Sequence, residues 1–268
     1  MKRSFSKDGA RPRKGAYILP NLFTTASLFS GFYAIVAAVK GDFQVAAWAI
    51  LVSGILDGLD GRVARMTGTT SRFGVEYDSL ADLVAFGVAP GMLGFMWGLQ
   101  DFGRLGWLAA FLYVATTALR LARFNTLGLM GKGSSRYFTG LPCPSAAAMV
   151  ATTVLMFQFM GIMGPVRHHA VLIMVYALSF LMVSNVRYAS FKEVPWLHQH
   201  PFSSLVAFVL VLVVLAVEPR VTLFGVFFVY VLSGPLLYTF NLLFRRERVK
   251  GGVDVTFDEE EKADGRQH

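Results

Sequence analysis

Four aspartates, Asp57, Asp60, Asp78 and Asp82, stand close together in a chain that is otherwise rich in hydrocarbon. The first two are spaced i, i+3 and the last two i, i+4, so each pair shares one face of a helix. Apolar segments flank both pairs. Carboxylates at membrane depth are costly and usually mark an ion or substrate site. Four of them together repel strongly unless cations neutralise them. Hard divalent ions such as Mg²⁺ or Mn²⁺ take oxygen ligands, and a pair of such ions suits phosphoryl chemistry. Arg62, Arg65 and Arg72 stand beside the aspartates as phosphate partners. Gly54, Gly58, Gly61 and Gly74 let helix backbones and a bulky ligand come close.

Two other readings compete. In one, the aspartates form structural ion pairs with these arginines, which suits a single Asp–Arg pair better than four aspartates at this spacing. In the other, the chain is an ion-coupled transporter. Transporters favour sites near the bilayer midplane on broken helices, whereas these carboxylates lie toward one face.

The elements that must carry the aspartates follow from composition. Of 268 residues, 54% are hydrophobic and 16% charged, and the apolar residues fall in blocks of about 20, the length that crosses a bilayer. The expected fold is all-α: a polytopic membrane bundle of about eight transmembrane helices. The spans run roughly over 18–39, 43–65, 74–99, 105–124, 144–163, 169–187, 202–217 and 221–244. Residues 1–16 read as a basic tail and 246–268 as a charged, disordered one, leaving 17–245 as a single membrane domain. The basic start has no apolar core of the kind a cleaved signal peptide carries. Residues 188–201 read as an interfacial segment. The lone cysteine, Cys143, excludes an internal disulfide and a cysteine-based zinc cluster.

With eight spans both termini share a side. Lys40, Arg104, Arg167 and Arg220 are then the only basic residues on one side, and the other 21 of 25 lie opposite. The positive-inside rule puts that richer side, with both termini and the 2–3 hairpin loop, in the cytoplasm. The net charge of +8 therefore belongs to topology and anionic headgroups, and no nucleic-acid partner is expected. On this topology the four carboxylates converge at the cytoplasmic end of the bundle, within reach of water. His168 and His169 fall at the opposite end and read as loop residues.

The pattern Asp57-x2-Asp60-Gly61-x2-Ala64-Arg65-x8-Gly74-x3-Asp78-x3-Asp82 resembles the signature of the CDP-alcohol phosphatidyltransferases at every defining position. The resemblance implies an integral membrane enzyme that transfers a phosphatidyl group from a CDP-linked lipid to an alcohol and releases CMP. By position it implies that Asp57, Asp60, Asp78 and Asp82 hold two divalent metals, Mg²⁺ or Mn²⁺, and that Asp82 is also the candidate general base. Asp78 and Asp82 are the candidate catalytic pair. Gly61, Ala64 and Gly74 would shape the nucleotide pocket, with Arg65 near the phosphates. Family resemblance also implies a homodimer.

Beyond the signature, the chain resembles the integral-membrane phosphatidylserine synthase branch of that family. Leu19–Thr24, Phe73–Asp82, Phe86–Pro90, Ala118–Asn125, Phe138–Pro142 and Ser190–Lys192 carry that likeness, with Cys143 where a serine is often found. It implies L-serine as acceptor and CDP-diacylglycerol, or an archaeal ether analogue, as donor, in a cell membrane with the site facing the cytoplasm. The residues give separate support: Arg120 and Arg123 are i, i+3 at the cytoplasmic end of the fourth span, followed by Asn125. A serine zwitterion needs a cation for its carboxylate. The same arginines also suit headgroup anchoring, as does Lys192, and Glu76 suits either the ammonium or solvent. The candidate acceptor contacts are Arg120, Arg123, Asn125 and Lys192.

Overall fold

The computed structural model describes residues 18–67, 71–129, 137–162, 164–189, 213–214 and 216–251. The helices are α1 (Ile18–Val39), α2 (Phe43–Thr67), α3 (Arg72–Asp82), α4 (Ala89–Gly94), α5 (Arg104–Leu129), α6 (Cys143–Phe159), α7 (His169–Val183) and α8 (Pro219–Gly251). From α3 the chain continues as one rod: a π-helical turn over Leu83–Val88, then α4, a second π-helical stretch over Phe95–Leu99 and a 3₁₀ turn to Phe102. Among the described residues, five helical segments are long and apolar enough to cross a membrane: α1, α2, the rod from Arg72 to Phe102, α5 and α8. The shorter apolar helices α6 and α7 stand beside them. The protein is a helical membrane protein.

The expected span boundaries agree closely for the first two helices, and the third runs from Arg72 to Phe102 instead of 74–99. The sixth ends earlier, at Val183. The tail expected at 1–16, residues 190–201 of the segment expected at 188–201, and most of the span expected at 202–217 lie outside the described residues. One feature departs from an all-α reading. Tyr137–Thr139 (β1) and Arg187–Ala189 (β2) pair antiparallel, with Phe138 opposite Tyr188. This two-stranded ladder ties the segment before α6 to the segment after α7.

The α1–α2 hairpin turns at Gly41, whose φ of +84° an L side chain rarely adopts. Its interior is stitched by hydroxyls. Ser27 and Ser53 lie 2.8 Å apart, each within bonding distance of the other's carbonyl, and Ser30 donates to the Ala49 carbonyl. In hydrocarbon such bonds and small residues hold helices together, since apolar burial offers no net drive there. Gly31 brings α1 against the π-helical turn: a Cβ on it would lie 2.7 Å from Ala85 Cα. Behind these contacts the core is built of small residues with a few large ones. Ala34, Ala46, Ala85, Ala147, Phe86 and Trp97 are fully or almost fully buried.

Candidate active site

One end of the bundle gathers the C-terminal turns of α2, the start of α3 and the start of α1. Ser71 begins α3: its Oγ accepts from the Gly74 amide at 3.0 Å, capping the helix. That cap sets the phase of α3, so that Asp78 and Asp82, one turn apart, both face α2. A Cβ on Gly74 would lie 3.1 Å from the capping Ser71 oxygen and 3.6 Å from Asn21 Oδ1, so glycine keeps this junction open. Asp82 is the last residue of α3, immediately before the backbone widens into the π-helical turn.

The carboxylates meet across α2 and α3. One oxygen each from Asp57, Asp60 and Asp78 lies within 4.8 Å of the others, an arrangement able to hold a metal ion. Asp82 joins from the other side, its carboxyl within hydrogen-bonding reach of Asp57. Asp60 is buried, and Thr24 of α1 donates to its Oδ2 at 2.8 Å. Asp78 Oδ1 is buried with no hydrogen-bond partner. An orphaned carboxylate oxygen aimed among other carboxylates is costly unless a cation completes it. The donor set, all hard oxygen, fits a divalent ion of the Mg²⁺ or Mn²⁺ kind.

Beside the cluster lies a cavity of about 160 Å³. Asp60 and Asp78 form one wall, and Gly61, Ala64, Arg65 and Gly74 line the rest together with Asn21 and Ser71. All four residues expected from the sequence to receive the nucleotide moiety thus border one space next to the carboxylates. The contribution of α1 is not legible in the sequence as a set of site residues. Pro20, Asn21 and Thr24 reach the cavity because α1 packs along α2 and α3, a tertiary contact with no local signal. The run Leu19–Thr24 stands out only by resemblance.

The expected acceptor contacts are placed differently from one another. Arg120, half-buried, donates through Nη1 to the carbonyls of Thr139 and Met182, at 2.9 and 3.3 Å, and lies beside the Cys143 thiol. It therefore clasps the β1 and α7 ends. Gly140 makes that clasp possible: its φ is +80°, and a Cβ there would meet Met182 O at 2.5 Å and Arg120 Nη1 at 2.9 Å. Arg123 is exposed and donates to Asn185 Oδ1 at 3.3 Å. Asn125 bonds Ser79, next to Asp78, with Nδ2 donating at 2.9 Å. Glu76 is exposed, and Lys192 lies outside the described residues. At the opposite end, His168 packs on Phe157 and His169 on Phe102, which Arg167 also covers.

Comparison with known proteins points the same way. The family model of the CDP-alcohol phosphatidyltransferases matches residues 17–183. A Helicobacter pylori protein (strain ATCC 700392 / 26695) named CDP-diacylglycerol–serine O-phosphatidyltransferase is 38% identical over 244 residues, covering 88% of this chain and 99% of that protein. An archaetidylserine synthase of Methanothermobacter thermautotrophicus is 37% identical over 172 residues, 63% of this chain and 69% of its own. A Saccharomyces cerevisiae protein with the same name as the first is 41% identical over 144 residues, about half of each chain.

Proposed function

The chain belongs to the CDP-alcohol phosphatidyltransferase family, and from that premise we propose that it transfers the phosphatidyl group of CDP-diacylglycerol to L-serine, releasing CMP. It is a phosphatidylserine-forming enzyme of phospholipid biosynthesis. Serine as acceptor is supported by relatives of that name, one matching along almost its whole length. The structural observation that carries the chemistry is the convergence of Asp57, Asp60, Asp78 and Asp82 beside a cavity bordered by Gly61, Ala64, Arg65 and Gly74.

In this reading the four aspartates hold two divalent ions, Mg²⁺ or Mn²⁺, with Asp57, Asp60 and Asp78 as the core of the set. Bound there, such ions neutralise the developing charge on the pyrophosphate. The chain's own residues do the rest. Gly61, Ala64 and Gly74 leave room for the CDP moiety, and Arg65 pairs with its phosphates. Asp82 accepts the proton of the serine hydroxyl as its oxygen attacks the lipid-linked phosphorus. The new O–P bond forms as the bridging P–O bond breaks, and CMP leaves with the bridging oxygen. A hydroxyl is a weak nucleophile, so the base must touch it. Arg123 and Asn125 border the approach from α5, with Lys192 as a further contact. Arg120 holds the ladder and α7 in place around it.

The donor is diacyl or its ether counterpart. Residues 17–245 form the catalytic membrane domain, flanked by charged tails, with eight spans and both termini in the cytoplasm of a cell that carries the enzyme in its plasma or inner membrane. The charge asymmetry between loops supports this orientation. Single cysteines placed in the loops of a Cys143→Ser background should be labelled by impermeant maleimide from the cytoplasmic side at residues 68–70 and from the outer side at Asp42. The active assembly is a homodimer, as the family resemblance implies, which the mass of the detergent-solubilised protein checks.

The deciding experiment offers purified protein CDP-diacylglycerol with serine, glycerol 3-phosphate or an inositol phosphate, each alone with Mg²⁺ or Mn²⁺. Serine-dependent CMP release is the expected result. Release with a phosphorylated acceptor only would reassign the acceptor, and no release with any acceptor would point to a non-catalytic membrane protein.

A further inference from the structure

Pro235 stands inside α8. It has no N–H, so the carbonyl one turn earlier, on Val231, receives no bond from the helix. Within a membrane a carbonyl freed in this way must be satisfied by a neighbour. Tyr188 of β2 is that neighbour: its Oη donates to Val231 O at 3.2 Å. Gly234 admits the ring. A Cβ there would overlap the Tyr188 ring carbons and lie 2.7 Å from its hydroxyl oxygen. Tyr188 is fully buried, and its ring packs against Tyr230 with centroids 5.5 Å apart, so the hydroxyl is held toward α8.

The bond lies on a segment that leads to the acceptor side. Tyr188 pairs with Phe138 in the ladder, and the next rung pairs Thr139 with Arg187. Beyond it the Gly140 amide donates to Val186 O at 2.7 Å. Asn185, three residues before Tyr188, accepts from Arg123 Nη2. Arg120 grips the other strand through the Thr139 carbonyl. The ladder is thus fastened at two edges, to α5 by Arg120 and to α8 by Tyr188. The carboxylates and the cavity beside them are built instead on α1, α2, α3 and the turn before α3.

We propose that Tyr188 is a positioning residue for the acceptor. By filling the carbonyl that Pro235 opens, it docks the ladder on α8 and sets Asn185, and through Asn185 the guanidinium of Arg123. The proposal rests on the transferase reading, in which Arg123 borders the approach of serine. The donor's half of the site stands on other helices, so the bond acts on one substrate and not on the other.

Tyr188→Phe keeps the ring on Gly234 and removes only the hydroxyl. It should raise the serine KM about three- to tenfold, the factor that matches the net worth of one hydrogen bond. The kcat and the KM for CDP-diacylglycerol should stay in place. Pro235→Ala supplies the missing N–H to Val231 and should raise the serine KM by a similar factor. In that background Tyr188→Phe should add nothing, because both changes break the same link. Factors that multiply in the double variant would overturn the proposal. So would a donor KM that rises with the serine KM, or a serine KM unmoved by Tyr188→Phe. If the unmodified protein releases no CMP with serine, the transferase reading fails, and unfolding in detergent still decides whether Tyr188 and Pro235 form one link. Tyr188→Phe should lower the unfolding temperature by a few degrees in the unmodified background and not in Pro235→Ala. Equal shifts in the two backgrounds would overturn the link.

Discussion

Thr24 Oγ1 donates a 2.8 Å hydrogen bond to Asp60 Oδ2, joining α1 to the carboxylate cluster. The same hydroxyl reaches the Pro20 carbonyl at 3.2 Å, one turn back on α1. The hydroxyl lies next to the cavity that Asp60 and Asp78 border, and Thr24 and Asp60 are both buried. The bond fixes which oxygen of Asp60 points toward Asp57 and Asp78. Partners that orient a metal ligand typically contribute 10–100-fold to metal affinity or activity. Thr24→Val, close in shape but without the donor, should raise the Mn²⁺ concentration for half-maximal activity about tenfold, and direct Mn²⁺ titration should show the same shift. Thr24→Ser should restore it. Unchanged Mn²⁺ binding in Thr24→Val would remove the orienting role.

Removing charge from the cluster tests the site itself. Asp78 has an unpartnered oxygen and Asp82 touches Asp57, so neither is neutralised by a structural cation among the described residues. Asp78→Asn and Asp82→Asn should each lower CMP release about a thousandfold or more, while the protein still inserts and elutes as the unmodified form does. Chelation of divalent ions should abolish activity in the unmodified protein, and added Mg²⁺ or Mn²⁺ should restore it. Substantial turnover in either variant would refute the metal site.

Arg120 and Arg123 are three residues apart, yet the structure gives them different work. Arg120 satisfies two backbone carbonyls, the Met182 one part-buried, and a hydrogen bond from a charged donor contributes on the order of 1.5–3 kcal/mol. Arg120→Ala should lower the unfolding temperature in detergent by several degrees. Arg123 is exposed and bonds only a side-chain amide, at 3.3 Å, among the contacts described. Arg123→Ala should leave the unfolding temperature in place and raise the serine KM. A raised serine KM for Arg120→Lys at an unchanged unfolding temperature would instead assign Arg120 to the acceptor.

The division between Arg120 and Arg123 shows where sequence reasoning stops. Helical phase puts both on one face, but Arg120 bonds main-chain carbonyls from 139 and 182, and main chain carries no side-chain signature. The ladder that holds those carbonyls is hidden for a related reason. Three-residue strands are too short to show an alternating pattern, so Tyr137–Thr139 reads as loop, Arg187 as the end of a span, and Tyr188 and Ala189 as the start of an interfacial segment. The apolar helices α1 and α2 are legible because a bilayer demands long uninterrupted runs. The four aspartates are legible because charge in such runs is rare. Thr24 is not: hydroxyls inside membrane helices are common, and only packing of α1 against α2 and α3 turns this one toward Asp60.

Gly31 links the packing of α1 to the same site. A Cβ there would come within 2.7 Å of Ala85 Cα and 2.9 Å of Ala85 Cβ. Ala85 is fully buried in the π-helical turn that follows Asp82. Backbone cannot yield as a flexible side-chain tip would, so Gly31→Ala must push α1 from the rod. Overpacking of this kind costs about 1–3 kcal/mol. Because Thr24 lies two turns along the same helix, the displacement should also lengthen its bond to Asp60. Gly31→Ala should therefore lower the unfolding temperature and weaken Mn²⁺ binding together, whereas Gly58→Ala, whose Cβ would meet nothing within 4 Å, should leave the unfolding temperature unchanged. Thermal unfolding and Mn²⁺ titration on the two variants check this, and a Gly31→Ala protein with unshifted unfolding would show that α1 accommodates the methyl group by sliding.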